Sequence, residues 1–195
     1  MTERIKTISG VVYEVGDQMD IRTVTGHLLQ EGNQLPRTKG TWRDPRSHLD
    51  YEVNVNSIPG VKIVSVLNLA GTEICDMQTA RMEAFHLDHP EITVLSVSKQ
   101  DPKELARFAR KHGITHPLIS VDNETARKLS AELKPQPGSN PDWKNMLLRE
   151  VLVVTDEGAL AVVDLNPNQM RHPSYKTIFD AAELIHSNAQ FSAKS

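Results

Sequence analysis

The stretch Val61 to Met82, VKIVSVLNLAGTEICDMQTARM, decides how this chain is read. Its first half is apolar and β-branched (Val61, Ile63, Val64, Val66, Leu67), the composition of a buried strand. A small-residue turn follows, and a helical pattern then opens on Cys75, the only cysteine in 195 residues. A strand that empties through a tight loop into a helix aims backbone N–H groups, and the positive end of the helix dipole, at that junction. A thiol placed there is biased toward thiolate, the reactive form. Against this, a lone cysteine is more often a small buried hydrophobe, so the rest of the chain has to decide between the two.

Upstream of this stretch, Asn56-Ser57-Ile58-Pro59-Gly60 is a turn, because proline fixes φ and glycine supplies positive φ, and Leu49 to Val55 alternates as a strand. Lys6 to Ile8 and Val11 to Val15, joined around Ser9-Gly10 and closed by Gly16-Asp17, predict an N-terminal β-hairpin over 1–17. Between them, Gly26, Gly32, Pro36, Gly40 and Pro45 interrupt every element, and Thr38 to Arg46 carries no periodicity. Residues 18–50 are therefore read as irregular.

Downstream, Ile74, Met77, Ala80, Arg81, Ala84, Phe85 and Leu87 predict a helix ending near His89-Pro90, and Ile92 to Val97 a second buried strand. Asp101-Pro102 opens another helix, with Leu105, Phe108 and Ala109 as its buried stripe and His112-Gly113 as its close. His116 to Val121 reads as a short strand, Asn123 to Leu133 as a helix, and Lys134 to Lys144 as a Pro- and Gly-rich loop carrying Trp143. Met146 to Val154 and Ala159 to Leu165 form antiparallel strands around the Asp156-Glu157-Gly158 turn, and a helix runs from Ser174 to about His186. This rhythm of strands and helices predicts an α/β chain, a mixed sheet with helices on both sides, in a single domain over 1–195.

Composition narrows the function. With 38% hydrophobic residues, 24% charged and a net charge of −3, the chain offers no basic face for nucleic acid and no polybasic segment for a membrane surface. No apolar run approaches the roughly 20 residues that span a bilayer, and MTERIKTISG lacks the layout of a secretory signal. A cytoplasmic protein is expected. One cysteine forms no internal disulfide and no Cys-based zinc site. His86 and His89, three apart on one predicted helix, find no clear third ligand and read as solvated histidines, so neither metal nor cofactor is expected.

The segment Val61 to Phe108, continued by Leu147 to Val162, resembles the peroxiredoxins, most closely their bacterial thiol peroxidase branch. Those proteins carry P-x-x-x-T-x-x-C at a strand-to-helix junction, and here the frame reads Asn68-Leu69-Ala70-Gly71-Thr72-Glu73-Ile74-Cys75. Cys75-Asp76-Met77-Gln78-Thr79-Ala80-Arg81 is similar to the branch's C-D-x-Q-T-x-R pattern. Leu147-Leu148-Arg149-Glu150-Val151 stands where the family's catalytic arginine strand lies, although Thr155 falls where its aspartate would. The resemblance implies a thioredoxin-like peroxiredoxin fold with an N-terminal hairpin. It also implies a homodimer.

The site residues implied are Cys75 as nucleophile, Arg149 as stabiliser of the anion and of the peroxide oxygens, and Thr72 as orienting hydroxyl. Asn68 and Glu73 join the substrate pocket as departures from the family, Asn68 replacing the proline that screens the thiol and Glu73 adding a carboxylate two residues before it. Ala109 stands where the branch has its resolving cysteine, in Leu105-Ala106-Arg107-Phe108-Ala109. The function expected is reduction of hydrogen peroxide or organic hydroperoxides by one cysteine, whose sulfenic acid is resolved by an external thiol, a thioredoxin-like protein or a small thiol. The alternative, favoured by Asn68, Glu73 and Ala109 together, is a catalytically degenerate redox sensor or binding protein.

Overall fold

The computed structural model describes residues 3–7, 12–15, 21–25, 29–130, 132–135, 146–166 and 172–192. In chain order these hold β1 (Glu3–Thr7), β2 (Val12–Val15), β3 (Ile21–Thr25), β4 (Lys39–Arg43), β5 (Asp50–Asn54), β6 (Lys62–Val66) and α1 (Glu73–Asp88). Then come β7 (Thr93–Ser98), α2 (Pro102–His112), β8 (Leu118–Ser120), α3 (Asn123–Leu129), β9 (Glu132–Pro135), β10 (Arg149–Val154), β11 (Leu160–Asn166) and α4 (Tyr175–Ser192). Seven strands form the main sheet in the order β11-β10-β6-β7-β8-β4-β5. Its centre is parallel (β6 with β7, β7 with β8), and β10 runs antiparallel to β6.

All five residues of β6 are buried, as a central strand with both faces covered requires. One face packs Val64, Val66, Leu95, Val97, Ile119 and Leu152 together. The other packs Ile63, Val94, Val151 and Val153 under Met82 and Phe85 of α1 and Ile178 and Ala182 of α4. The helix α2 starts and stops where its sequence says it should: the Asp101 side chain accepts from Lys103 N at 2.8 Å, and Gly113 closes it at φ 68°.

Two expectations need correction. The segment 18–50 is not irregular throughout, since it contributes β3 and β4 and the start of β5. A Cβ on Gly40 would lie 2.3 Å from the Ser120 carbonyl oxygen and 2.6 Å from Ile119 Cγ2, so this glycine lets β4 press against β8 rather than breaking a strand. The second correction concerns Asn123 to Leu133. The helix α3 stops at Leu129, Ser130 turns extended, and β9 pairs antiparallel with β3. The N-terminal hairpin is present as β1 and β2, paired from Glu3↔Val15 to Lys6↔Val12. Its turn, Trp143 and the loop from 136 to 145 lie outside the described residues.

A buried polar cluster ties α1 to β7 and to the loop that enters β8. Glu83 accepts from the backbone N–H groups of Thr115 (2.9 Å) and His116 (3.1 Å), from the Thr115 hydroxyl, and from His116 Nδ1 at 2.7 Å. Because an ionised carboxylate only accepts, Nδ1 carries the ring proton and Nε2 accepts from the Ser96 hydroxyl at 3.0 Å. Burial alone would raise Glu83, but these hydrogen bonds outweigh it and pull the carboxyl down to about 2. Burial also lowers His116, against the opposing pull of Glu83, so the ring stays neutral. A carboxyl lowered in the fold stabilises above its unfolded value of 4.5, and that stability is lost as pH falls toward 2. Glu83→Gln is therefore expected to cost about 2 kcal/mol at pH 7, with the gap to wild type closing between pH 4.5 and 2 in urea titrations; a gap independent of pH would refute the assignment.

Candidate active site

Cys75 is the third residue of α1, fully buried, one turn after Thr72 at the helix N-cap. The loop that delivers it is fixed from three directions. Gly71 adopts φ 96°, which a side chain would resist, and its N–H donates to Asp76 Oδ1 at 2.8 Å. Ala70 N donates to Gln100 Oε1 at 2.6 Å while Gln100 Nε2 returns a bond to Ala70 O at 3.3 Å. Asp76 N donates to the Thr72 carbonyl at 2.8 Å, and the Thr79 hydroxyl donates to the Cys75 carbonyl at 2.8 Å. The sulfur therefore sits at a rigid helix N-terminus, where the dipole favours negative charge.

The strand β10 supplies the cation. Arg149 is its first residue, is 2% exposed, and donates from Nη1 to Cys75 Sγ at 3.4 Å and to Gln78 Oε1 at 2.7 Å. Gln78 in turn donates from Nε2 to the Ser65 hydroxyl at 2.7 Å. A line of contacts thus runs from β6 through α1 to the guanidinium and the sulfur. The register explains the meeting: Val151 of β10 lies opposite Ser65 of β6, and Arg149, two residues before Val151, shares its face.

The remaining expected residues fall at different distances from the chemistry. Thr72 is half-buried, and its hydroxyl donates to the Leu69 carbonyl at 2.9 Å, leaving its oxygen as an acceptor. Asn68 is half-buried in the loop after β6, whereas Glu73 is exposed on the first turn of α1. Ala109 is buried among Leu67, Ala70, Leu105, Ile114 and Leu118, so core packing fills the place of the absent second thiol. His86 and His89 diverge: the His86 ring edges onto His116, while His89 stacks on Phe85 and meets Glu91 and Glu183. Among the described residues no group of three or more His, Cys, Asp and Glu side chains is arranged to hold a metal ion.

The sequence passed over Gln78 and Gln100, which hold Arg149 and the loop. Gln78 lies in the quoted C-D-x-Q pattern, yet nothing in the spacing says that its amide meets the arginine. Gln100 carries no sequence signal at all.

The geometry agrees with what this chain is similar to. The sequence profile of the AhpC/TSA family matches residues 32–163. A thiol peroxidase of Listeria innocua is 24% identical over 83% of this chain and 92% of its own length. Among solved structures, a peroxiredoxin-like protein from Aquifex aeolicus superposes with a TM-score of 0.70 at 17% identity, covering 94% of this chain and 98% of that one. A thiol peroxidase from Chromobacterium violaceum superposes with a TM-score of 0.65 at 15% identity, covering 93% and 96%. The thioredoxin-like fold expected from the sequence is the fold observed.

Proposed function

Since this chain belongs to the AhpC/TSA family and is a peroxidase oxidoreductase with one cysteine, we propose that it reduces hydrogen peroxide or small organic hydroperoxides through Cys75 alone. The observation that carries the reading is the Arg149 Nη1 to Cys75 Sγ contact of 3.4 Å. A thiolate is the nucleophile in such chemistry, and a fixed guanidinium together with a helix N-terminus stabilises it. The sulfur attacks one peroxide oxygen and is oxidised to the sulfenic state, while the peroxide is reduced and releases water or an alcohol. Arg149 also offers donors to the oxygens as charge builds on them. Thr72, with its hydroxyl hydrogen committed to Leu69, presents an acceptor to the hydrogen of the incoming peroxide.

With one cysteine in the chain, the sulfenic acid waits for an external thiol, a thioredoxin-like protein or a small molecule. Reduced thiols of both kinds belong to a cytoplasmic setting. A homodimer is the assembly that the resemblance implies.

The test is mass spectrometry of the reduced chain after one equivalent of hydrogen peroxide, in the presence of dimedone, which captures sulfenic acid. The expected result is a dimedone adduct confined to the peptide bearing Cys75, absent when peroxide is omitted. A chain that gives no adduct and leaves the peroxide unconsumed would instead favour the binding or sensor reading suggested by Asn68, Glu73 and Ala109.

A further inference from the structure

The first residue of α4 brings to this site a polar group that the proposed chemistry has not used. The backbone N–H of Ser174 donates to Asp164 Oδ2 at 2.5 Å, which pins the start of α4 over β11. Asp164 lies opposite Val151 in the sheet, so the helix begins on the face that also carries Arg149 and Ser65. Tyr175 packs there against the cluster of Met82, Val151 and Ile178. Its hydroxyl oxygen is buried and has no hydrogen-bond partner among the described residues. A buried donor left unsatisfied is costly to keep and asks for an explanation.

The charges of the site act on this phenol. Burial pushes it up to about 12, Arg149 and Arg81 pull it down, and Cys75 and Asp164 push it further up. The hydroxyl therefore lies within the field of the sulfur and of the guanidinium that meets the sulfur. It also keeps its hydrogen throughout the neutral range.

We propose that the Tyr175 hydroxyl is a further catalytic group of this site, donating a hydrogen bond to the oxygen that departs when Cys75 attacks a hydroperoxide; the inference rests on the peroxidase reading above. In that step the S–O bond forms as the O–O bond breaks. Sulfur gives up two electrons and the peroxide gains them. The hydrogen of the peroxide moves to the departing oxygen, which leaves as water or an alcohol, and Cys75 is left as sulfenate. Tyr175 keeps its own proton and supplies only the hydrogen bond. A buried hydroxyl with no acceptor of its own is the arrangement expected of a donor preorganised for charge that appears only in the transition state.

The experiment compares wild type with Tyr175→Phe in two reactions of the same thiolate, with hydrogen peroxide and with iodoacetamide. Iodoacetamide places its departing charge on iodide, a poor hydrogen-bond acceptor, so it reads the nucleophile without the donor. The expected result is a fall of about tenfold to a hundredfold in the peroxide rate constant, with alkylation changed by less than about twofold. Unchanged peroxide reactivity overturns the inference, and so does a parallel fall in both rates, which marks a structural role. As a second variant, 3,5-difluorotyrosine at position 175 keeps the ring and its packing and makes the hydroxyl a stronger donor. It is expected to alter the peroxide rate alone, and no change there also overturns the inference. A wild-type chain inert to peroxide but readily alkylated removes the peroxidase reading itself and the inference with it.

Discussion

Replacing Arg149 with alanine is expected to lower the rate constant of Cys75 with hydrogen peroxide by about 10² to 10³-fold, the loss typical when one preorganised donor is taken from a reacting centre. The guanidinium is 3.4 Å from the sulfur and almost wholly excluded from water. At an effective dielectric near 20, two charges at that distance attract by about 5 kcal/mol before the cost of desolvating the arginine is subtracted. Alanine also leaves Gln78 Oε1 without its 2.7 Å donor, so the amide that spans Ser65 and Arg149 loses one end. Arg149→Lys separates charge from geometry. A lysine keeps the cation, but its nitrogen stands one bond closer to the backbone than the Arg149 Nη1 that makes both contacts, and it is expected to recover only part of the loss. Stopped-flow peroxide reaction of the three chains, each checked for folding by its melting curve, decides the matter. An alanine variant within twofold of wild type would remove Arg149 from the chemistry.

The neighbouring residue gives the largest expected effect on stability. Glu150 follows Arg149 on β10, so it faces the other side of the sheet, where it is 1% exposed and its Oε1 has no hydrogen-bond partner among the described residues. The Ser130 hydroxyl lies beside it but donates to the Leu148 carbonyl at 3.1 Å. Burial pushes the carboxyl up to about 8, Ser130 offsets part of this, and the charge of Asp164 adds to the rise. A group whose value is raised in the fold contributes stability that is complete below its unfolded value of 4.5 and is lost as pH rises toward about 8. The slope is about 1.4 kcal/mol per pH unit while the native chain holds the extra proton. Glu150→Gln keeps the shape and removes the titration. It is expected to stabilise by about 4 kcal/mol at pH 8 relative to its effect at pH 4.5, measured by urea unfolding at both values. An equal effect at both would show that Glu150 ionises in the fold as freely as in the unfolded chain. The direction opposes that of Glu83, whose contribution grows as pH rises from 2 to 4.5.

The parts of this structure that the sequence made legible are those whose cause is local. The run from Val61 into Cys75 reads as strand, turn and helix because burial, small residues and helical spacing follow one another within a few turns. The limits of α2 are legible for the same reason, since Asp101, Pro102 and Gly113 each act on the nearest backbone. Arg149 was found through its motif, 74 residues from the sulfur it meets. What stayed hidden depends on partners distant in the chain. Gly40 looks like a breaker until β8 is placed against it, and β9 looks like the tail of a helix until β3 offers it a register. Gln78, Gln100 and Tyr175 bear ordinary polar side chains at ordinary positions. Their importance appears only once the sheet order has fixed what lies opposite them.

The sulfur of Cys75 has no surface of its own, and the two halves of a turnover ask very different things of such an atom. A peroxide is little larger than water and is admitted by the smallest fluctuations of the residues above it. A reducing thiol carries a whole molecule behind its sulfur and needs a wider and rarer opening. In the proposed cycle, burial of the sulfur is expected to slow reduction more than oxidation, so that the oxidised form accumulates under steady supply of peroxide. A small thiol is then expected to close the proposed cycle faster than a bulky one of equal potential.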